Sequence, residues 1–309
     1  MRKERRTILP RFGNSNLFKR TNTFRIPFAG LGSVFEDATG IKVASNTLTL
    51  SLVQSGVISA HSNSRISFID QQGDELRMYH SDGTNWRQVG NGFSIVVGIS
   101  SLTALNDTDV AFIDEANDSL RAYRFDGVDW SLLGAGLAIA TVVGPSITSL
   151  TVTDVAFVDD FNTSLRTYRF DGANWAILGS GLGIAGLSGV QITSLNNTDI
   201  ALIDTSNESL RTYRFNGATW AQVGNGLSVP VIGSISVCAL NGNDIALVDS
   251  TNDSMRIYRF DGVNWAQVGP TLTLPGFVNS PSITKLSEST IAFIDSSNDS
   301  LRTYRITVS

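Results

Sequence analysis

The chain has 309 residues, of which 42% are hydrophobic and only 17% charged, which excludes a disordered polypeptide and leaves room for one large domain. A single cysteine and two histidines exclude a disulfide scaffold and a Cys- or His-rich metal centre, so no cofactor is expected. The net charge of −5 hides a split, because residues 1–25 hold eight Lys/Arg and one acid whereas the rest holds fifteen Lys/Arg against twenty-seven acids.

Residues 1–34 show no strand or helix period and are punctuated by Pro10, Gly13, Pro27, Gly30 and Gly32. The basic residues Arg2, Lys3, Arg5, Arg6, Arg11, Lys19, Arg20 and Arg25 are interspersed with Phe12, Phe18 and Phe24. Three readings are open for this arm: plain disorder, a transit segment, or an extended anchor. The anchor would bury its aromatics and set its charges against other proteins of an assembly, or against nucleic acid. Apolar runs after the first charges break off at Pro10, so no secretory signal is apparent. No apolar run is long enough for a membrane span, so a virion or the cytoplasm is the expected location.

The second domain, residues 35–309, is a repeat. Tyrosines fall at 79, 123, 168, 213, 258 and 304, and Trp86, Trp130, Trp175, Trp220 and Trp265 each follow a tyrosine by seven. A period near 45 marks an array or a propeller. Within one unit, Asp199–Asp204 and Leu210–Phe215 read as strands B and C, with strand A before them near Ile192 and strand D beginning at Trp220. Asp-Gly at Asp82-Gly83, Asp126-Gly127, Asp171-Gly172 and Asp261-Gly262, and Asn216-Gly217, mark the C–D hairpin because glycine takes positive φ at little cost. The strands are apolar on both faces, as sheets packed between sheets require. Six four-stranded units give an all-β, six-bladed β-propeller. The sixth unit ends after strand C without a tryptophan. Thr47-Leu48-Thr49-Leu50 repeats Thr271-Leu272-Thr273-Leu274, which places Ile41 near the missing tryptophan position. Residues of about 41–46 are therefore expected to complete the last blade and close the ring.

The Tyr-x6-Trp spacing resembles the kelch blade, although the kelch double glycine is absent where strand B reads Ile200-Ala201-Leu202-Ile203. The unit is also similar to the blade of six-bladed fungal fucose-binding lectins. That resemblance implies a sugar site built from a strand-B arginine and a strand-C glutamate. The matching positions here hold Ala201 and Thr212, so the sugar site itself is not implied.

An aspartate ends strand B and an arginine starts strand C in every unit: Asp70/Arg77, Asp114/Arg121, Asp159/Arg166, Asp204/Arg211, Asp249/Arg256 and Asp295/Arg302. The hairpin is expected to set each pair face to face as a structural ion pair. A sixfold ring of ligand-binding arginines is the other reading. His61 replaces a leucine of the repeat, His80 an arginine and Cys238 a threonine, and each reads as a structural variant. The D-to-A connections lack charge, which predicts a neutral, partly apolar face. No constellation breaks the repeat, so no catalytic residue is expected. The resulting expectation is a non-enzymatic interaction protein, anchored by its basic arm to a larger assembly such as a phage or viral particle. The alternative is a lectin binding glycans at repeated inter-blade sites.

Overall fold

The computed structural model describes residues 41–43, 47–50, 56–70, 73–95, 98–230, 233–274, 279–297 and 299–306. The arm of residues 1–34, with its basic and aromatic residues, lies outside the described residues. So do residues 44–46 of the expected closing segment.

The unit around Tyr213 forms strand A at Val190–Ser194, B at Asp199–Asp204, C at Ser209–Phe215 and D at Trp220–Ser228. The four pair antiparallel in the order A-B-C-D, and six such sheets make the propeller. Strand B is buried along its whole length. Its Ile200 and Leu202 pack towards the preceding blade, whereas Ala201 and Ile203 pack towards the next. Each of the six hydrophobic clusters accordingly lies between two blades rather than within one. A single blade has no core of its own, and the ring is the smallest unit that buries its apolar faces.

The ring closes through the chain's N-terminal side. Ile41–Val43 and Leu48–Thr49 pair antiparallel with Ser300–Ile306, the third strand of blade six. Ile41 lies opposite Ile306 in the same register in which Trp220 faces Phe215. The expected closure therefore holds, with two short strands in place of one.

Turns follow from local chemistry. Asp82 Oδ1 accepts the N–H groups of Thr84 and Asn85 at 2.8 and 2.7 Å, while Gly83 takes φ of 91°. The B–C turns place Asp74, Asp118, Thr163, Glu208, Asp253 and Asp299 in the left-handed region, with φ of 44–47°. Close approaches join blades at the rim: a Cβ on Gly90, Gly134, Gly179 or Gly224 would overlap the carbonyl of Val128, Ala173, Ala218 or Val263 of the next blade.

Tryptophan links neighbouring sheets. Trp86, Trp220 and Trp265 donate Nε1–H to Thr303, Thr167 and Thr212 of the preceding blade at 3.0, 2.9 and 2.9 Å. Trp130 and Trp175 find Met78 and Ala122 at that repeat position, and their buried Nε1 atoms have no partner. Replacing Ala122 by threonine is expected to restore the missing acceptor for Trp175. The gain should be about 0.5–1.5 kcal/mol in denaturant unfolding; an unchanged or lowered midpoint would refute the role given to this bond.

Candidate functional site

Inner strands A surround an axial channel with two different mouths. In antiparallel blades, strand A begins where strand B ends, so the D-to-A connections and the B–C turns share the upper mouth. The A–B and C–D turns share the lower one.

At the upper end, the strand-B aspartates are built into the B–C turns. Asp204 accepts from Ser206 Oγ at 2.8 Å and Asn207 Nδ2 at 2.6 Å, and Asp114 accepts Asn117 Nδ2 at 2.8 Å. The expected face-to-face register is corrected: Asp204 lies opposite Ser209, and Arg211 lies opposite Leu202. The four-residue turn shifts the two partners out of register, so arginine must reach diagonally. It does so at 2.8 Å for Asp249–Arg256, 3.3 Å for Asp114–Arg121 and 3.7 Å for Asp159–Arg166. In blade one, Arg77 bonds Glu75 at 2.6 Å, and Asp70 ends its strand B buried like the others. In blade six, Asp295 is buried and accepts Ser297 Oγ at 2.7 Å, with Arg302 two positions into strand C.

A stronger set of pairs stands at the lower end. Asp109, Asp154, Asp199 and Asp244 start strand B and lie in register with Arg124, Arg169, Arg214 and Arg259 at the end of strand C. Each arginine binds both carboxylate oxygens at 2.6–2.8 Å. Bonding to Arg214 and Arg259 holds the Asp199 and Asp244 carboxyls below the usual carboxylate range. The spacing of fifteen that marks these pairs is visible in the sequence, yet only a B–C hairpin register gives it meaning.

The upper mouth opens into a bowl of about 400 Å³. Its wall carries Asp160, Gln191 and Thr205 among glycines, prolines and strand-A residues. Asp160 occurs in this turn of blade three alone, where other blades carry Glu115, Thr205, Ser250 and Ser296. It reaches the next blade, accepting Gly189 N–H at 2.8 Å and Val190 N–H at 3.4 Å. Burial pushes its carboxyl above the ordinary value, with those two N–H groups opposing and the Asp159 and Asp204 charges adding to the rise. Gln191 likewise breaks the repeat. It occupies the strand-A position of Ser101, Ser146, Ser236 and Ser282, whose hydroxyls each tie down the next inner strand. The expectation of a neutral face is corrected, because the B–C turns bring Glu115, Asp118 and Asp160 onto it. Glu115 and Asp118 accept Gly144 and Val142 N–H at 3.3 and 2.7 Å.

The remaining variants are placed as follows. His61 bonds the Asn106 carbonyl through Nδ1 at 2.6 Å, and burial lowers its pKa. His80 has a buried Nδ1 without a partner. Cys238 is buried and its thiol is pushed up to about 12, which removes it as a thiolate nucleophile at neutral pH. Among the described residues, no group of three or more His, Cys, Asp or Glu side chains could hold a metal ion. Among them, too, no helix is long and apolar enough to cross a membrane.

No family model and no curated protein matches the chain. Solved structures do. A streptogramin B lyase superimposes with a TM-score of 0.60 at 10% identity, over 88% of this chain and 100% of its own. A protein from Lactobacillus plantarum gives 0.59 at 10%, over 84% and 85%. The SapL1 lectin, solved with alpha methyl fucoside, gives 0.54 at 16%, over 80% and 90%. At such identities the likeness is one of fold. It corrects one expectation nonetheless: a lyase is built on a similar architecture, so the fold gives no ground for excluding catalysis, and the non-enzymatic reading falls. The inter-blade sugar site of the lectin resemblance stays closed, since Ala201 and Thr212 are fully buried.

The bowl carboxylate is held at a cost. With its folded pKa raised, Asp160 weakens the fold as pH rises from the ordinary carboxylate range through the folded value. Asp160→Asn keeps an acceptor for Gly189 and removes that cost. Its melting temperature should exceed that of the wild type at pH 7, and the difference should vanish below the ordinary carboxylate range. A lower value at pH 7 would make Asp160 a structural brace.

Proposed function

We propose that the propeller is a recognition protein whose upper bowl takes a hydroxyl-rich ligand of the saccharide class. The observation that carries this reading is the pairing of Asp160 with Gln191 on adjacent blades, the two polar departures from the repeat that line the same bowl. A carboxylate and a primary amide are the side chains that accept from, and donate to, vicinal hydroxyls. Pro145 and Pro281 on the same wall offer apolar surface to the C–H face of a sugar ring. The lectin among the similar structures favours this class without locating its site.

A glycan array probed with the whole chain should give discrete saccharide hits. Asp160→Asn and Gln191→Ala should each weaken the best hit by about tenfold or more, as loss of a buried polar contact to ligand does. A blank array, or hits indifferent to both variants, would overturn the reading.

A second reading rests on the charge split, with the net +7 of residues 1–25 set against the acidic remainder. In it the basic arm joins the propeller to an acidic face of a larger assembly, such as a virion. Removal of residues 1–34 should then abolish co-sedimentation with particles while the propeller's melting temperature stays unchanged. Equal co-sedimentation of the shortened chain would refute it.

A further inference from the structure

The lower mouth of the channel carries a second departure from the repeat. Five of six inner strands place a hydroxyl at one level: Ser59, Thr103, Thr148, Thr193 and Thr284. Each oxygen accepts the backbone N–H of the neighbouring inner strand, from Ala104, Ser149, Ser194, Ala239 and Ala60, at 2.8–3.0 Å. That bond occupies an acceptor lone pair and leaves the hydroxyl proton. None of the five protons is given to a protein acceptor among the described residues, and Thr103, Thr148 and Thr193 are at least nine-tenths buried. All five hydroxyls line a cavity of about 310 Å³. The ring thus fixes its oxygens beside the cavity and keeps one hydroxyl proton on each to donate.

The sixth blade supplies charge at the next position. Lys285 stands where the other blades have Ala60, Ala104, Ser149, Ser194 and Ala239, and it lines the same cavity. No carboxylate is within ion-pair distance of Lys285 among the described residues. The aspartates that start strand B at this end in blades two to five are each saturated by their own arginine. Glu288, on the adjoining turn, makes no ion pair among the described residues either. Lys285, half-buried and without an ion-pair partner among the described residues, beside a ring of unspent hydroxyl donors, is the arrangement that holds an anion.

We propose that the lower mouth is a binding site for a small oxyanion, a phosphate or sulfate group, with Lys285 supplying the charge and the Ser/Thr ring the hydrogen bonds. The site is separate from the upper bowl and independent of the saccharide reading. The cavity accommodates a free ion or the head of a phosphomonoester, which share this chemistry.

The experiment is a thermal and calorimetric titration of the whole chain with sodium phosphate, sodium sulfate and glycerol 3-phosphate, against sodium chloride at matched ionic strength. Phosphate or sulfate should raise the melting temperature above the chloride control and show saturable binding. Lys285→Ala introduces the residue that three other blades carry, so the fold should persist, and it should weaken binding by about tenfold or more, as loss of a charge-assisted contact does. Thr148→Ser keeps the hydroxyl and should bind as the wild type does. Tighter binding of glycerol 3-phosphate would identify a phosphomonoester, and parity a free ion. Equal melting in all salts would overturn the proposal, as would oxyanion binding unchanged in Lys285→Ala.

Discussion

The propeller depends on how its inner strands are joined at the axis. Strands A of neighbouring blades do not pair as a sheet. They are linked by serine and threonine hydroxyls that accept backbone N–H groups across each gap, at two levels of the channel. An inner-strand N–H facing a narrow channel must find an acceptor, because a buried unpaired donor is costly. One or two short hydroxyls per blade solve this, and the repeat multiplies them around the ring. Everything outside follows: B and C are apolar on both faces, tryptophan bridges to the preceding blade, and the N-terminal strands complete blade six.

This arrangement explains which departures from the repeat matter. A substitution in the ring leaves a neighbour's N–H without its acceptor, so it carries a structural cost. Gln191 and Val57 break the upper level, and Cys238 breaks the lower one. Gln191 faces the bowl that holds Asp160, and Cys238 precedes Lys285 by one blade at the opposite mouth. The sixfold scaffold supplies rigidity, and its irregular residues gather at the two ends of the channel. Similar folds carry a lectin and a lyase, so chemistry on such a ring is decided by local side chains and not by the architecture.

Blade number, strand boundaries, turn type and ring closure were legible in the sequence because each depends on local chemistry or on a repeated spacing. The missing sixth tryptophan and the match of residues 47–50 to 271–274 put Ile41 near the tryptophan position, which pairs with Ile306. The arginine–aspartate pairing was legible only in part. A spacing of seven is short and stands out in the repeat, yet register puts Asp204 opposite Ser209 and leaves arginine a diagonal reach. The in-register pairs at a spacing of fifteen are not legible in the sequence, since the spacing has no meaning before the B–C hairpin is set. Asp160 was hidden for another reason. In sequence it is one more aspartate beside a turn, and its importance comes from the Gly189 N–H of another blade and from the bowl wall.

By itself the sequence determined an all-β ring of six sheets, since short strands apolar on both faces, glycine turns and a fixed period act over a few residues and add up along the chain. The tertiary structure alone decided what the channel mouths contain. Residues separated by one or several repeats converge there: Asp160 with Gln191 above, and Lys285 with hydroxyls from five blades below. No local rule links them: Asp160 meets Gln191 only when blade four packs on blade three, and Lys285 meets Ser59 only when the sixth blade meets the first.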